Sequence, residues 1–257
     1  MLFSEALYNK VISSEALYNE VLSSETLYNE VLSREALYNE VLSSTALYNK
    51  VICKLLYQFP TWLQRLYRGV VWRMNPSSKV VYLTFDDGPI PECTPQVLKI
   101  LAQYDVKATF FMVGENAERY PELLAQVRAA GHAIGNHTYH HLKGYKTCTH
   151  TYIQDAERAN NILQTTLFRP PHGRMKYSQK KALRLAGQTI YLWDVLTHDY
   201  NPCYSVEKML SVVQRCTRNG SIIVMHDSLK AKDRMLLLLP LVIEWLQQEG
   251  YQLGVLD

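Results

Sequence analysis

Cysteine is scarce in this sequence, and the few residues present are scattered. The five cysteines are odd in number, and no two of them have the Cys-x-x-Cys spacing. They are Cys53, Cys93, Cys148, Cys203 and Cys216. This pattern favours neither a disulfide framework nor a cysteine metal site. Reduced thiols in a cytosolic compartment are the simpler interpretation.

Long apolar runs are also missing. The longest one extends from Met235 to Leu239 and continues past Pro240 to Ile243, which is far below the roughly 20 residues that span a bilayer. The first residues have no basic region followed by an apolar run, so no signal peptide is predicted. The expected localisation is cytoplasmic, with a membrane-peripheral position as the alternative.

A strong charge of one sign is absent as well. The net charge is +3, and no recognition-helix or zinc-finger spacing accompanies it, so nucleic acid is not expected as a partner. What the sequence does have is 47% apolar and 11% aromatic residues over 257 positions. That content is ample for the packed core of a globular protein.

Residues 1–52 consist almost entirely of five near-identical decamers, which begin at Ser4 and of which the last ends at Cys53. They read SEALYNKVIS, SEALYNEVLS, SETLYNEVLS, REALYNEVLS and STALYNKVIC. Ten residues fall about 80° short of three helical turns, so the Leu/Val stripe drifts around a helix with every repeat. Because no face stays apolar, a dispensable tail, helical or disordered, is favoured over an oligomerisation or partner-binding element.

The next segment, residues 53–78, is basic and amphipathic. Together with Lys79 it carries five Lys or Arg residues and no acidic residue, interleaved with Trp, Leu, Phe and Tyr. The favoured interpretation is a lead-in helix that packs against the following domain. The alternative is peripheral contact of residues 53–79 with an anionic membrane surface.

From residue 79 to residue 257, strand-like and helix-like segments alternate. Seven apolar or β-branched runs are separated by helical periodicity, and a glycine follows several of the helices, where a left-handed C-terminal cap is wanted. The predicted strands are Val80–Phe85, Ala108–Val113, His132–Gly135, Thr166–Arg169, Thr189–Trp193, Ser221–His226 and Tyr251–Val255. Seven βα repeats predict a parallel α/β barrel or a doubly wound sheet.

Two motifs carry candidate metal ligands. Adjacent carboxylates, Asp86 and Asp87, end the first strand before a Gly-Pro turn, and a cluster with His137, His140 and His141 follows a later apolar stretch. Taken singly, each string also suits an exposed turn or loop. Taken together, one Asp and two His form a three-ligand set that leaves a zinc-like ion an open position for water.

Further polar groups occupy equivalent places downstream. Six ionisable residues fall at or just after the C-terminal end of a predicted strand, namely Asp86, Asp87, His137, Arg169, Asp199 and His226. In a parallel barrel these strand ends converge on one face, where the βα loops build active sites. This regularity favours a functional rim over scattered structural polar residues.

Five motifs in order resemble those of polysaccharide deacetylases of the NodB type, which form carbohydrate esterase family four. The matching stretches are Thr84–Pro89, His137–His141, Phe168–Gly173, Trp193–Tyr200 and Val224–Asp227. The resemblance covers about Lys79 to Asp257. It implies a distorted, incomplete (β/α) barrel of about seven parallel strands for residues 79–257, preceded by the helical or disordered repeat tail.

The resemblance also implies a division of roles at the rim. Asp87, His137 and His141 would bind a divalent metal, zinc or in its place cobalt, nickel or manganese. Asp86 would be the general base, since a carboxylate beside a metal can accept the proton of an attacking water. Arg169 would hold that base through a bidentate ion pair.

The acid side of the reaction is implied in the same way. His226 would protonate the departing amine, with Asp199 favouring its imidazolium form. The backbone N–H of His172 would be the oxyanion donor. His172, Tyr200 and Val224 stand where many family members have Tyr, Trp and Leu, and the last two are expected to line the acetyl pocket.

The implied function is metal-dependent removal of N-acetyl groups from a glycan of the N-acetylglucosamine type. The alternatives are hydrolysis of a non-sugar amide or an O-acetyl ester at the same site, and a non-catalytic surface-binding protein with a vestigial site.

The remaining histidines are assigned by their distance from the motifs. His140 competes with His141 as a ligand, because His137 and His140 also have a helical ligand spacing, but the family pattern favours His141. Three others match no motif position and are expected in loops or on the surface, namely His132, His150 and His198.

Overall fold

In the computed structural model of the protein, the described residues are Gln58, Gln64 and residues 68–257. The decamers of residues 1–52, and the prediction that they form a helical or disordered tail, lie outside the described residues. Most of the lead-in segment does so too. No helix in the described part of the chain combines the length and the apolar character that crossing a bilayer requires.

Eight strands in the described residues form one sheet, in which all pairs are parallel. They are β1 (Val80–Asp86), β2 (Thr109–Met112), β3 (Ala133–Asn136), β4 (Leu167–Phe168), β5 (Thr189–Ile190), β6 (Val195–Leu196), β7 (Ile222–His226) and β8 (Gln252–Gly254). The spatial order is β5-β4-β3-β2-β1-β7-β6. Strand β8 pairs with the first half of β1 and β2 with its second half.

Helices follow most of the strands. They are α1 (Thr94–Gln103), α2 (Gly114–Arg119), α3 (Pro121–Ala129), α4 (Thr149–Leu163), α5 (Tyr177–Leu185), α6 (Val206–Cys216) and α7 (Lys232–Gln248), with short 3₁₀ turns at Gly144–Lys146 and Pro171–Gly173.

Helix α6 illustrates why these segments fold as they do. The Ser205 hydroxyl caps its N-terminus by accepting a hydrogen bond from the Lys208 N–H at 3.3 Å. Its buried residues, Met209, Val212, Val213 and Cys216, recur at helical spacing on one face. Burying each larger side chain of this kind stabilises the fold by about 1.5–3 kcal/mol.

The strands separate an interior face from an exterior face. On β1, Thr84 and Asp86 face the interior, where both contact Arg169. Phe85 lies on the other face and stacks on Phe110 of β2, with ring centroids 5.0 Å apart. The interior cluster consists of Phe111, Leu167, Tyr191, Ile222 and Leu256. Burial on both faces explains why β1 and β2 are nearly continuous apolar runs.

The described end of the lead-in segment lies in the gap between the two edges of the sheet. Val71 forms a parallel bridge with Tyr191, just after β5, and Arg73 forms an antiparallel bridge with Ser221, just before β7. Nearer the N-terminus, the buried Gln58 side chain donates a hydrogen bond to the Cys216 carbonyl at 2.8 Å. These contacts are made to the barrel, and they lend no support to membrane contact by residues 53–79.

The curled, helix-covered sheet confirms the distorted, incomplete barrel, and all seven predicted strands are present. The sequence patterns do not predict β6 or α2. Strand β6 has only two residues, Val195 and Leu196, and exists through its pairing with Ile223 and Val224 of β7. A strand of two residues is too short to show an alternating apolar pattern, and its pairing partner is remote in sequence. The sequence pattern therefore does not reveal it.

Candidate active site

The rim predicted from the sequence is assembled at the C-terminal ends of the strands. Asp86 and His226 are the last residues of β1 and β7, and they lie opposite each other in the register. His137 and Arg169 directly follow β3 and β4, which pair through Asn136 and Phe168. Parallel topology therefore brings together residues that are up to 140 positions apart.

Asp86 and Arg169 form a buried ion pair inside the barrel. One guanidinium nitrogen lies 2.7 Å from the Asp86 carboxylate and 2.8 Å from the Thr84 hydroxyl, and the other donates to the Leu192 carbonyl at 3.0 Å. The guanidinium also lies over the Phe111 ring, 4.0 Å from its centroid. The expected bidentate pairing is therefore wrong, because the second nitrogen is used to satisfy a backbone carbonyl. A charge this deeply buried needs every such partner.

Asp87, His137 and His141 form a cluster that we call the metal triad. One ligand atom from each lies within 4.8 Å of the others. The Nε2 atoms of His141 and His137 are 3.3 and 3.8 Å from Asp87 Oδ1. Such separations suit a common ion about 2 Å from each ligand. His140 is not part of the triad.

The chemistry of these donors also fits a cation of the zinc type. His137 Nδ1 lies 2.8 Å from the Arg169 carbonyl oxygen, so it carries the proton and leaves the Nε2 lone pair for a metal. Burial lowers the pKa of His137 to about 4, which keeps the ring neutral. Burial raises the pKa of Asp87, but its hydrogen bond with His141 and the nearby His226 and His137 outweigh burial and hold the pKa well below its usual range.

The backbone conformation at Asp87 directs the two adjacent carboxylates to different places. Asp87 has a φ of 81°, so the chain leaves the strand after Asp86 through a left-handed residue. This turn, rather than strand alternation alone, sends Asp86 into the barrel and Asp87 to the triad. Thr138, His141 and His172 have left-handed backbones too, with φ of 63°, 54° and 59°. Non-glycine residues adopt this conformation rarely, and they concentrate at functional sites.

His226 and Asp199 form the second pair of the rim. The Asp199 carboxylate is fully buried, and both of its oxygens contact His226. Oδ1 lies 2.7 Å from the ring Nδ1, and Oδ2 accepts a hydrogen bond from the backbone N–H at 2.7 Å. Burial lowers the pKa of His226, but the Asp199 charge and hydrogen bond outweigh it, with Asp87 and Asp86 adding to them, and the pKa rises to about 9. With Nδ1 committed to Asp199, only Nε2 remains to face a substrate.

The three residues at which this chain departs from the common motifs lie around these groups. The His172 ring stands edge-on to His141, with centroids 4.8 Å apart. The Tyr200 ring stands edge-on to His226 at 4.9 Å. Val224 is fully buried on β7, two residues before His226 on the same strand face. The oxyanion role of the His172 backbone N–H stays a prediction.

His140, the competing ligand candidate, has a structural partner instead of a place in the triad. His140 Nδ1 pairs with the Asp155 carboxylate on α4, which also accepts the backbone N–H of Tyr139 and of His140. His150 is exposed, as expected.

Two other histidines lie in loops, as expected, but both are buried. His132 is buried and accepts a hydrogen bond from the Ala108 N–H, and burial lowers its pKa to about 4. His198 is also buried, and its ring stacks on Tyr204. A histidine can be buried when the fold supplies a hydrogen-bond partner for its ring nitrogen. A position outside the motifs therefore does not predict that the side chain is exposed.

Three supporting residues were assigned no role from the sequence, although Thr84 and Asp227 lie within the matching motifs. Thr84 accepts from Arg169, and the Asn116 side chain donates to the Asp87 carbonyl at 2.9 Å. Asp227 is buried behind the motif loop, where its backbone N–H donates to the Asp86 carbonyl at 2.7 Å and its carboxylate accepts from Thr94. Burial raises the pKa of Asp227 to about 6.

The metal triad opens to solvent on one side. A depression of about 300 Å³ adjoins it, lined by Asp87, Ile90, Val113, Glu115, Asn116, His140 and His141. A sugar ring could therefore approach Asp87 and His141 from outside, while Asp86 and Arg169 stay beneath them in the barrel.

Known proteins are similar to this chain in both sequence and fold. The family model described as polysaccharide deacetylase matches residues 73–191. A peptidoglycan-N-acetylglucosamine deacetylase of Bacillus cereus is 34% identical over 197 residues, a match that spans 71% of this chain and 89% of the relative. The chain belongs to the polysaccharide deacetylase family. Another relative, a chitooligosaccharide deacetylase of Azorhizobium caulinodans, is 31% identical over 166 residues, which are 62% of this chain and 79% of that protein.

Solved structures of the family agree. A peptidoglycan N-acetylglucosamine deacetylase superposes with a TM-score of 0.69 at 30% identity, covering 76% of this chain and 94% of that one. A pseudoenzyme of carbohydrate esterase family 4 from Bacillus anthracis superposes with a TM-score of 0.68 at 25% identity, covering 76% and 69%. Family membership therefore supports a hydrolase of the deacetylase class, but the fold also occurs in a protein described as a pseudoenzyme.

Proposed function

We propose that this protein is a metal-dependent deacetylase that removes N-acetyl groups from a glycan of the N-acetylglucosamine type. The observation that carries the proposal is that two ion pairs lie beside the metal triad. In one, the carboxylate of Asp86 is held by Arg169, and in the other, the imidazole of His226 is held by Asp199. A base and an acid on either side of an electrophile are what hydrolysis of an amide requires.

Asp87, His137 and His141 would hold the cation, which we infer to be zinc or a similar divalent ion, with cobalt, nickel and manganese as substitutes. When bound, such an ion supplies Lewis-acid chemistry, because it acidifies water and polarises a carbonyl. The neutral His137 and the ionised Asp87 are in the protonation states that binding needs.

The other rim residues would move the protons. Asp86 accepts the proton of the attacking water on its carboxylate, which Arg169 keeps in place. His226 then donates a proton from Nε2 to the departing sugar amine, since Nδ1 is held by Asp199. The backbone N–H of His172 is the proposed donor to the oxyanion, and Tyr200 and Val224 the proposed walls of the acetyl pocket.

Acetate release tests this function. The full-length protein, supplied with zinc or cobalt, is incubated with N-acetylglucosamine oligomers and with peptidoglycan fragments, and acetate and free amine are both quantified. Equal amounts of the two products are expected. No release of acetate from any N-acetylated glycan by protein with bound metal would overturn the proposal.

Two rival functions give different products. An O-acetyl esterase at the same site would release acetate without a new amine, and an amidase for non-sugar amides would leave every glycan intact. A non-catalytic protein is favoured only by the likeness to the pseudoenzyme. Metal analysis separates it, because a vestigial site would remain empty when the protein is purified with zinc present, whereas the intact triad should fill.

A further inference from the structure

A second histidine is held by an aspartate beside the metal triad. The Asp155 carboxylate, buried on α4, contacts the ring Nδ1 of His140 with one oxygen and accepts the His140 backbone N–H with the other, at 3.0 Å. Asp199 holds His226 with the same two contacts, one to the ring Nδ1 and one to the backbone N–H. Each carboxylate therefore fixes both the backbone and the ring of its histidine.

The ring of His140 is also held by its neighbour in the chain. The rings of Tyr139 and His140 stand edge-on, with centroids 4.5 Å apart. Tyr139 is itself buried, since its hydroxyl donates to Glu118 and the Arg158 guanidinium lies over its ring, 3.6 Å from the centroid. Because the His140 ring is already fixed, a ligand that contacts it would lose little free energy in ordering it.

This ring lines the opening beside the metal triad. His140 lies on the wall of the depression of about 300 Å³, together with Asp87 and His141. The His140 side chain is 49% exposed, whereas the Asp155 side chain that it contacts is 6% exposed. Since Nδ1 faces the buried carboxylate, the exposed edge of the ring carries Nε2. Among the residues that the structure describes, Nε2 has no hydrogen-bond partner.

The loop does not need the imidazole for its own anchoring. One oxygen of Asp155 accepts the backbone N–H of Tyr139 at 2.8 Å and that of His140 at 3.0 Å. Any residue other than proline at position 140 could donate the second of these hydrogen bonds. The metal triad does not include the ring either. The half-exposed imidazole at the opening is therefore available for contact with a substrate.

We propose that His140 is a substrate-binding residue, whose Nε2 exchanges a hydrogen bond with a hydroxyl group of the sugar that occupies this opening. A hydroxyl group can both donate and accept a hydrogen bond, so it matches an imidazole nitrogen in either role. His140 would thus favour glycans over small acetylated compounds that lack hydroxyl groups. This inference rests on the proposed deacetylase function and adds a residue that selects the substrate.

The test compares two substrates of the full-length, metal-loaded protein. One is the N-acetylated glycan from which the wild-type protein releases most acetate, and the other is 4-nitrophenyl acetate, which has an acetyl group but no sugar hydroxyl. The measured quantity is the ratio of kcat/KM for the glycan to kcat/KM for the ester. This ratio does not depend on the fraction of active protein, so partial unfolding or partial loss of metal in a variant leaves it unaltered.

His140→Asn isolates the atom that would face the sugar. The amide nitrogen of asparagine can take the place of Nδ1 at Asp155, but nothing replaces Nε2. The ratio should fall by about three- to tenfold, which is the usual effect of losing one hydrogen bond. A higher KM for the glycan should account for the fall, because a contact made equally in the ground state and the transition state affects KM and not kcat.

Two further variants complete the comparison. In His140→Gln the longer side chain carries an amide to about the position of Nε2, and it should restore part of the ratio. His150→Asn makes the same exchange as His140→Asn at an exposed histidine on α4 that does not line the opening, and the ratio should equal that of the wild type.

Binding supplies a measurement that does not depend on turnover. In the Asp86→Asn background, calorimetry with the same glycan should show a Kd that rises about three- to tenfold when His140→Asn is added. A ratio or a Kd that His140→Asn leaves unchanged would overturn the inference and leave the proposed function standing. No acetate from any N-acetylated glycan by the metal-loaded wild-type protein would overturn the proposed function itself.

Discussion

At the residue scale, two neighbouring carboxylates have different surroundings. Asp86 is paired with Arg169 inside the barrel, whereas Asp87 turns outward to His137 and His141. One backbone turn therefore directs one carboxylate to Arg169 and the other to the two histidines, and the proposed roles of base and metal ligand rest on this separation.

Removing the charge of Asp86 should separate turnover from metal binding. Asp86→Asn keeps the side-chain shape, so metal content should stay near wild type while kcat falls by about a hundred- to ten-thousand-fold, the usual contribution of a positioned base. His137→Ala should lose both. Metal stoichiometry and acetate release measured on the same samples test this, and an equal loss of metal in the two variants would contradict the division of roles.

In its proposed role as the general acid, His226 should control the alkaline limit of activity. It works in the protonated form, and its pKa is raised to about 9, so kcat/KM should stay high through neutral pH and fall as pH rises through about 9. Asp199→Asn removes the charge that raises this pKa, so the falling limb should move to lower pH. A pH–rate profile whose alkaline limb is the same in both proteins would show that His226 is not the acid.

At the scale of elements, the ends of the strands are held by interior packing. Gly135 on β3 faces the Phe111 ring, and the Arg169 guanidinium lies over that ring. The position of the ion pair beneath the metal triad therefore depends on a strand residue that has no side chain.

A methyl group at Gly135 should disturb both stability and activity. Its Cβ would lie 2.3 Å from a Phe111 ring carbon, so Gly135→Ala should cost about 1–3 kcal/mol and lower kcat by moving Arg169. Gly187→Ala is the control, since its Cβ would meet nothing within 4 Å and only its φ of 81° adds strain. Thermal melts and acetate release per folded molecule test the pair. Equal kcat in the two variants would contradict the coupling.

At the scale of the whole molecule, the lead-in segment and the decamers should differ in importance. A chain that begins at Cys53 should keep the melting temperature and activity of the full chain, because the drifting stripe of the decamers offers no face to bury. A chain that begins at Lys79 should melt lower, since it lacks the bridges of Val71 and Arg73 and the Gln58 hydrogen bond. A large drop on removing residues 1–52 alone would show that the decamers pack on the domain.

The sequence by itself determines the order of strands and helices, the family and the set of rim residues. It does so because apolar periodicity and turn residues are local properties, and because the C-terminal ends of parallel strands must meet on one face. This is why Asp87, Arg169 and His226 could be named as one site from their positions after predicted strands.

Only the tertiary structure decided what depends on contacts between distant segments. In the folded chain, His140 pairs with Asp155 on α4, whereas His141 belongs to the metal triad. One nitrogen of Arg169 donates to the Leu192 carbonyl. The tertiary structure also placed residues 71–73 between the edges of the sheet and joined the turn at Gly144 to helix α5 through Gln179. These arrangements depend on which partner satisfies each buried polar group, and such partners are far apart in the chain.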